Sequence, residues 1–251
     1  WGCGEAAVVL RVAIAGDELL EVQAEGLYVE ADVIDTSGLS VDVTVTNLVG
    51  SADDELAATS AAGSRDDIFD VNIDGVDIES YSEGAVSLVD FDITVSESNT
   101  LKAALAYAEN DLVDSDATGL ELDHEGGSLT TVKDIAANGI ARGDDEWSID
   151  LLNHHQLTAV AAGEYFGGGA LFGFIGSADG VRANDDLVDA VAEGIDASAD
   201  GLFVLGGADA GDFVAVRNVI DVDASGEMST TYGDGFELSA YAVDINASEI
   251  T

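Results

Sequence analysis

The chain has no proline, one cysteine and only seven lysines and arginines in 251 residues, and each scarcity excludes something. Average usage predicts roughly a dozen prolines. Proline lacks a backbone donor and often blocks exposed sheet edges, so a chain without it leaves its strand edges open to pairing. The single thiol, Cys3, excludes an internal disulfide. It is read as a small apolar residue or free thiol, with pairing between chains or lipid attachment as alternatives.

Seven basic residues face 51 acidic ones, a formal net charge of -44. Such a surface repels nucleic acid and anionic membranes. It also lacks the arginine and lysine clamps that hold phosphoryl or carboxylate substrates. Cations and salt screen it. No nucleophile elbow, P-loop or dinucleotide fingerprint occurs, so no enzymatic activity is assigned. A hydrolase adapted to high salt and working through a carboxylate pair is the third-ranked reading.

What is present is apolar and small. Hydrophobic residues make up 47% and the mean hydropathy is +0.20, which excludes a solvated acidic tail. The least charged stretch, residues 157–176, has the length of a membrane span, but six glycines weaken any helix there. A buried strand pair or subunit contact is expected instead, with no membrane insertion.

Alternation dominates the pattern. Residues 40–47 (SVDVTVTN), 68–78 (IFDVNIDGVDI) and 85–95 (AVSLVDFDITV) place apolar side chains on one face and acids on the other. The fold expected is mainly β: an antiparallel sandwich or jelly-roll-like pair of sheets with a few short helices. The helices are expected where Leu101, Ala104, Leu105, Ala108 and Leu112 recur at helical spacing, over residues 131–141, and after Asn184, where Leu187, Ala190, Val191 and Ile195 form a stripe. A β-rich lobe over 1–162 and a second over 163–251 are one division; a single compact domain is the alternative. No exact internal repeat is found.

Two segments carry the opening half of a looped calcium site, in which alternate oxygen ligands wrap a hard cation and a glycine makes the turn. Asp221, Asp223, Ser225 and Glu227 form the first, with Asp234 able to supply the closing oxygen that Tyr232 cannot. Asp70, Asn72 and Asp74 form the second, for which a strand with its acids in water is the competing reading. The expected cofactor is Ca²⁺. His124, His154 and His155 lack the spacing of a zinc site.

Residues 119–150 and 200–251 resemble the spacer units and strands of acidic bacterial proteins exported by type I secretion, the RTX-type surface and S-layer proteins. The defining G-G-x-G-x-D nonapeptide is not present, and Gly206-Gly207-Ala208-Asp209 is the nearest approach to it. The resemblance implies an extracellular or cell-surface location and a calcium-dependent structural protein that forms homo-oligomers or polymers. The runner-up is a monomeric calcium-dependent adhesin or carbohydrate-binding module, with Tyr165, Tyr232 and Tyr241 stacking on a glycan.

Overall fold

The computed structural model describes residues 11–14, 17–32, 34–35, 41–50, 60–81, 86–88, 91–103, 105–125, 129–132, 148–159, 180–205 and 213–250. The described strands form a parallel coil. Its first turn comprises β1 (Arg11–Ile14), β2 (Leu20–Glu30), β3 (Ile34–Asp35) and β4 (Val41–Gly50). The second comprises β5 (Ser60–Gly63), β6 (Phe69–Ser80), β7 (Val86–Leu88) and β8 (Phe91–Ala103). The third comprises β9 (Leu105–Ala108), β10 (Val113–His124), β11 (Leu129–Val132) and β12 (Ser148–Ala159). The fourth comprises β13 (Val181–Ala183), β14 (Val188–Leu205) and β15 (Phe213–Ala224), and β16 (Met228–Thr230) with β17 (Phe236–Ile250) begins a fifth.

Equivalent strands of successive turns stack into three parallel sheets, each drawing strands from both sides of residue 163. The short strands β1, β5, β9, β13 and β16 form sheet A. Sheet B stacks β2, β6, β10, β14 and β17, and is extended by β3, β7 and β11 along the far end of β14. Sheet C stacks β4, β8, β12 and β15.

The expected antiparallel sandwich is therefore wrong, and the error has a physical cause. Alternation reports that one face is dry and the other wet, but it does not report the direction of the neighbouring strand. Parallel sheets usually need helices on both faces. Here the chain coils around itself, so three sheets share one core and each keeps its outer face in water. Ile73, Ile93, Leu120, Ile149 and Ile195 are all at most 1% exposed within it.

The expected helices at 101–112 and after Asn184 are also strands, and no helix occurs among the described residues. Their spacing has a different origin. In each of the first four turns of sheet B a glycine (Gly26, Gly75, Gly119, Gly194) shifts the phase of the strand. The inward residues on either side then stand three apart: Ala24 and Leu27, Ile73 and Val76, Ala117 and Leu120, Ala192 and Ile195. A three-residue step inside an alternating strand imitates a helical period. Leu101, Leu105 and Leu112 are buried because the chain turns a corner between β8, β9 and β10. Most of the candidate helix at 131–141, like Cys3, Tyr165 and the glycine-rich stretch from 160, lies outside the described residues.

The glycines form a column. A Cβ on Gly26 would stand 2.5 Å from the carbonyl oxygen of Gly75, one on Gly75 would stand 2.5 Å from that of Gly119, and one on Gly119 would stand 2.6 Å from that of Gly194. The column ends at Ala242 in the fifth turn, whose carbonyl lies 2.5 Å from the Cβ position of Gly194.

Candidate functional site

Two features of the coil carry chemistry: an outer face and a corner. The outer face belongs to sheet B. Because parallel strands in register stack identical positions, each outward residue continues into a row across the turns. One row reads Glu21, Asp70, Asp114, Asp189, Glu237, a carboxylate on every turn. Another reads Tyr28, Asp77, Glu121, Asp196, Asp244. Neighbours within a row are about 4.8 Å apart, the strand spacing of any sheet. No lysine or arginine occurs on these five strands.

Like charges directly across a strand pair oppose folding, and the acids respond by holding their protons. Partial burial, and then the Glu121, Asp77, Asp116 and Glu25 carboxylates, push Asp74 up to about 7. Burial followed by Asp196 and its neighbours pushes Glu193 up to about 7. Asp114 rises to about 6 through burial, then Asp67, Asp189 and Asp70. Sheet C contrasts with this face. Its outer side carries Arg217 bonded to Asp150 at 2.6 Å and His154 bonded to Asp221 at 3.0 Å, among serines and threonines.

The corner lies between sheets A and B. The Asp67 side chain accepts a hydrogen bond from the backbone N–H of Asp111 at 2.8 Å, and Asp111 accepts from Asp186 N–H at 2.6 Å. Asp186 in turn accepts from Gly235 N–H at 2.8 Å. Each turn thus caps a backbone donor of the next. Burial, against the stabilising bond from Asp186, pushes Asp111 up to about 7. Asp111→Ala is expected to leave the buried Asp186 N–H without a partner and to cost about 1–3 kcal/mol; Asp67→Ala is expected to behave alike, and equilibrium urea unfolding measures both.

Carboxylate oxygens of Asp111, Asp185 and Asp186 at this corner lie within 4.8 Å of one another, as do those of Asp17, Glu18 and Asp66 two turns earlier. Groups of that spacing can share a hard cation. Neither group was anticipated, although a signal was present. Asp17-Glu18-Leu19, Asp66-Asp67-Ile68, Asn110-Asp111-Leu112 and Asp185-Asp186-Leu187 are one degenerate repeat. Unequal connections hide it, since the chain runs much further from Val113 to Val188 than from Phe69 to Val113.

The residues singled out as calcium ligands lie on β6, on β15 and in the segments before and after β16. Asp70, Asn72 and Asp74 alternate outward along β6 while Val71 and Ile73 enter the core, so they line an extended strand. Asp221 and Asp223 occupy the outer side of β15. Ser225 begins the turn that follows, its N–H and that of Gly226 both bonded to the Ala159 carbonyl at 3.0 Å. Glu227 continues that turn and Asp234 precedes β17. The structure therefore strings these eight residues along β6, β15 and the segments before and after β16.

Of the aromatics expected to meet a glycan, Tyr232 and Tyr241 are exposed. A different pair converges: the Tyr28 and Tyr81 hydroxyls both donate to Glu79 Oε2, beside a pocket of about 340 Å³ lined by Glu30, Ala31, Asp32 and Tyr81. No helix among the described residues is long and apolar enough to cross a membrane. Comparison with known proteins found no matching family model, no matching curated protein and no matching solved structure.

Proposed function

We propose that the chain is a structural subunit of an extracellular surface layer or filament, and that copies associate side by side through the acidic face of sheet B with divalent cations between them. The observation that carries this reading is the unbroken carboxylate row from Glu21 to Glu237 on a face without a basic residue. Such a face is self-repelling, and two copies of it meet only when cations lie between. Sheet C, with its own ion pairs and hydroxyls, makes no comparable demand.

Geometry favours lateral over end-to-end contact. A further turn stacked in register on β17 would bring its carbonyl against the Ala242 methyl, as the carbonyl of Ala242 itself stands against the Cβ position of Gly194. The inward apolar residues of the outermost turns, such as Leu20 and Phe236, are each 39% exposed. That surface is available for looser contacts.

Sedimentation at matched ionic strength, with calcium and then with excess chelator, tests the proposal. Ordered oligomers are expected in calcium and monomers after chelation. Asp77→Asn with Glu121→Gln and Asp196→Asn is expected to raise the calcium needed for association several-fold; monomers under every condition would sink the reading. The Tyr28–Tyr81 pair favours a second reading, a calcium-dependent adhesin, because exposed aromatics beside carboxylates suit stacking and hydrogen bonding to a sugar. Glycan binding lost in Tyr81→Ala, with no change in sedimentation, would select it.

A further inference from the structure

β17 pairs with β14 along one edge, and its other edge meets no strand among the described residues. Its inward residues are Phe236, Leu238, Ala240, Val243, Ile245 and Ala247, each in register with a buried residue of β14. Phe236, Leu238 and Val243 are 39%, 36% and 37% exposed, because no further turn covers them. A long apolar strand with one edge unpaired is a template for another strand.

The earlier turns show which backbone groups face that edge. Inward residues direct their N–H to the next turn on both sides of the glycine. Before it, Phe69 donates to the Leu112 carbonyl at 3.0 Å and Val188 to that of Gly235 at 3.3 Å. After it, Ala31 donates to the carbonyl of Glu79 at 3.2 Å. By the same rule the six inward residues of β17 present their N–H and C=O to the open edge. The phase shift at Tyr241 and Ala242 divides them into two sets of three. In an antiparallel pair, opposite residues must both face the partner strand, and one register alone matches all six: a two-fold axis between Tyr241 and Ala242.

We propose that two copies of the chain pair through this edge, last turn to last turn and β17 antiparallel to β17, so that sheet B continues from one coil into the other. Across the two copies Phe236 then stands opposite Ala247, Leu238 opposite Ile245 and Ala240 opposite Val243, all apolar and all on the inward side. On the outward side Glu237 stands opposite Asn246 and Ser239 opposite Asp244. No acid faces an acid within the paired stretch, although the chain carries 51 of them. Acids meet only past its ends, where Glu249 would stand beside Asp234.

The competing occupant is the first turn of another copy, stacked in parallel on β17. Continuing the rows of sheet B would set Glu237 against Glu21 and bring the Gly26 carbonyl onto the Ala242 methyl, as the Ala242 carbonyl stands 2.5 Å from the Cβ position of Gly194. In the antiparallel pair Ala242 faces Tyr241 instead, whose backbone groups turn back to its own β14. The contact is independent of the cation-bridged outer face, since it needs ions only to screen charge.

Sedimentation equilibrium in excess chelator separates the two contacts. At ordinary ionic strength the charge of -44 on each copy keeps the ends apart. In about 1 M sodium chloride the Debye length falls to about 3 Å, and dimers are expected as protein concentration rises. Leu238→Glu sets a charge against Ile245 and is expected to raise the dimer dissociation constant at least about tenfold, whereas Asp77→Asn with Glu121→Gln leaves it unchanged. Cysteine pairing in a Cys3→Ser background reads the register. Positions 239 and 244 form a non-hydrogen-bonded pair with Cα atoms about 4.5 Å apart, within disulfide reach. Copies carrying Ser239→Cys are expected to cross-link to copies carrying Asp244→Cys, and neither kind to itself. This second test alters no inward residue, so it holds if Leu238→Glu fails to fold. Monomers at every protein concentration in high salt, dimers unaffected by Leu238→Glu, or equal cross-linking within one kind of copy overturns the proposal. Association that needs calcium and is unaltered by Leu238→Glu overturns it as well, and leaves the outer-face contact standing.

Discussion

Gly119→Val is expected to cost at least about 3 kcal/mol, or to prevent folding outright. A Cβ at this position stands 2.5 Å from Ile149 Cγ2 and 2.6 Å from the Gly194 carbonyl oxygen. Neither can retreat cheaply. Gly194 belongs to β14, whose register with β10 is fixed on both sides of the contact, and Ile149 is fully enclosed in the core. Gly75→Val meets the Gly119 carbonyl in the same way and is expected to behave alike. The control is Ala242→Val, at the exposed end of the column, with an expected change within about 0.5 kcal/mol. Urea unfolding followed by circular dichroism measures all three; equal losses at 119 and 242 would show that the column does not set the packing.

The second large effect runs against the usual course of acid denaturation. Asp74, Glu97, Asp111 and Glu193 are pushed up to about 7 and Asp114 to about 6, from ordinary values of 3.8 for Asp and 4.5 for Glu. Between those limits the folded chain binds protons that the unfolded chain does not, so stability falls as pH rises. The stabilisation is complete below pH about 4 and is lost on passing upward through about 6 to 7. His155 acts in the opposite sense: its pKa falls from 6.5 to about 4, so its contribution is lost as pH drops through that window.

Five groups outweigh one. Each pKa unit is worth about 1.4 kcal/mol, but Asp74, Asp114 and Glu193 face water in part and their share is reduced by screening. A net gain of about 3 kcal/mol is expected between pH 8 and pH 5, which raises Tm by roughly 6–12 °C. Melting curves at low protein concentration across that range check it. The gain is expected to shrink in high salt, where repulsion along the outer rows is already screened. A stability maximum at neutral pH would mean that these carboxyls are ionised at little cost, with cations already in place.

Some strands were legible in the sequence, but those at 101–112 and after Asn184 were read as helices, and the arrangement of the strands was not visible at all. Residues 68–78 alternate so strictly that β6 could be placed almost to the residue, with Val71 and Ile73 inside and Asp70 and Asp74 in water. What the same residues could not convey was the identity of their neighbours. Asp70 is flanked by Glu21 and Asp114, both in register and both far away in the chain, and no local pattern encodes that pairing. A looped calcium motif and an acidic strand share the same alternate oxygens, so Asp70, Asn72 and Asp74 fitted both. Glu97 was less visible still. It sits in a run of serines and acids, SESN, and only its register against Asn153 reveals that it points inward.

The glycine column and the aspartate corner hold each turn to the next at two fixed points, and neither depends on how the chain travels between them. Successive turns already differ widely in length, yet Phe69, Val113 and Val188 stand in line. Connector length and coil register are thus separate variables. More chain separates β11 from β12 and β12 from β13 than separates the equivalent strands of the second turn, while the rows beside them keep their spacing. For an evolving lineage the coil is a fixed ruler along which new segments can be hung, one connector at a time, without rebuilding what lies beneath.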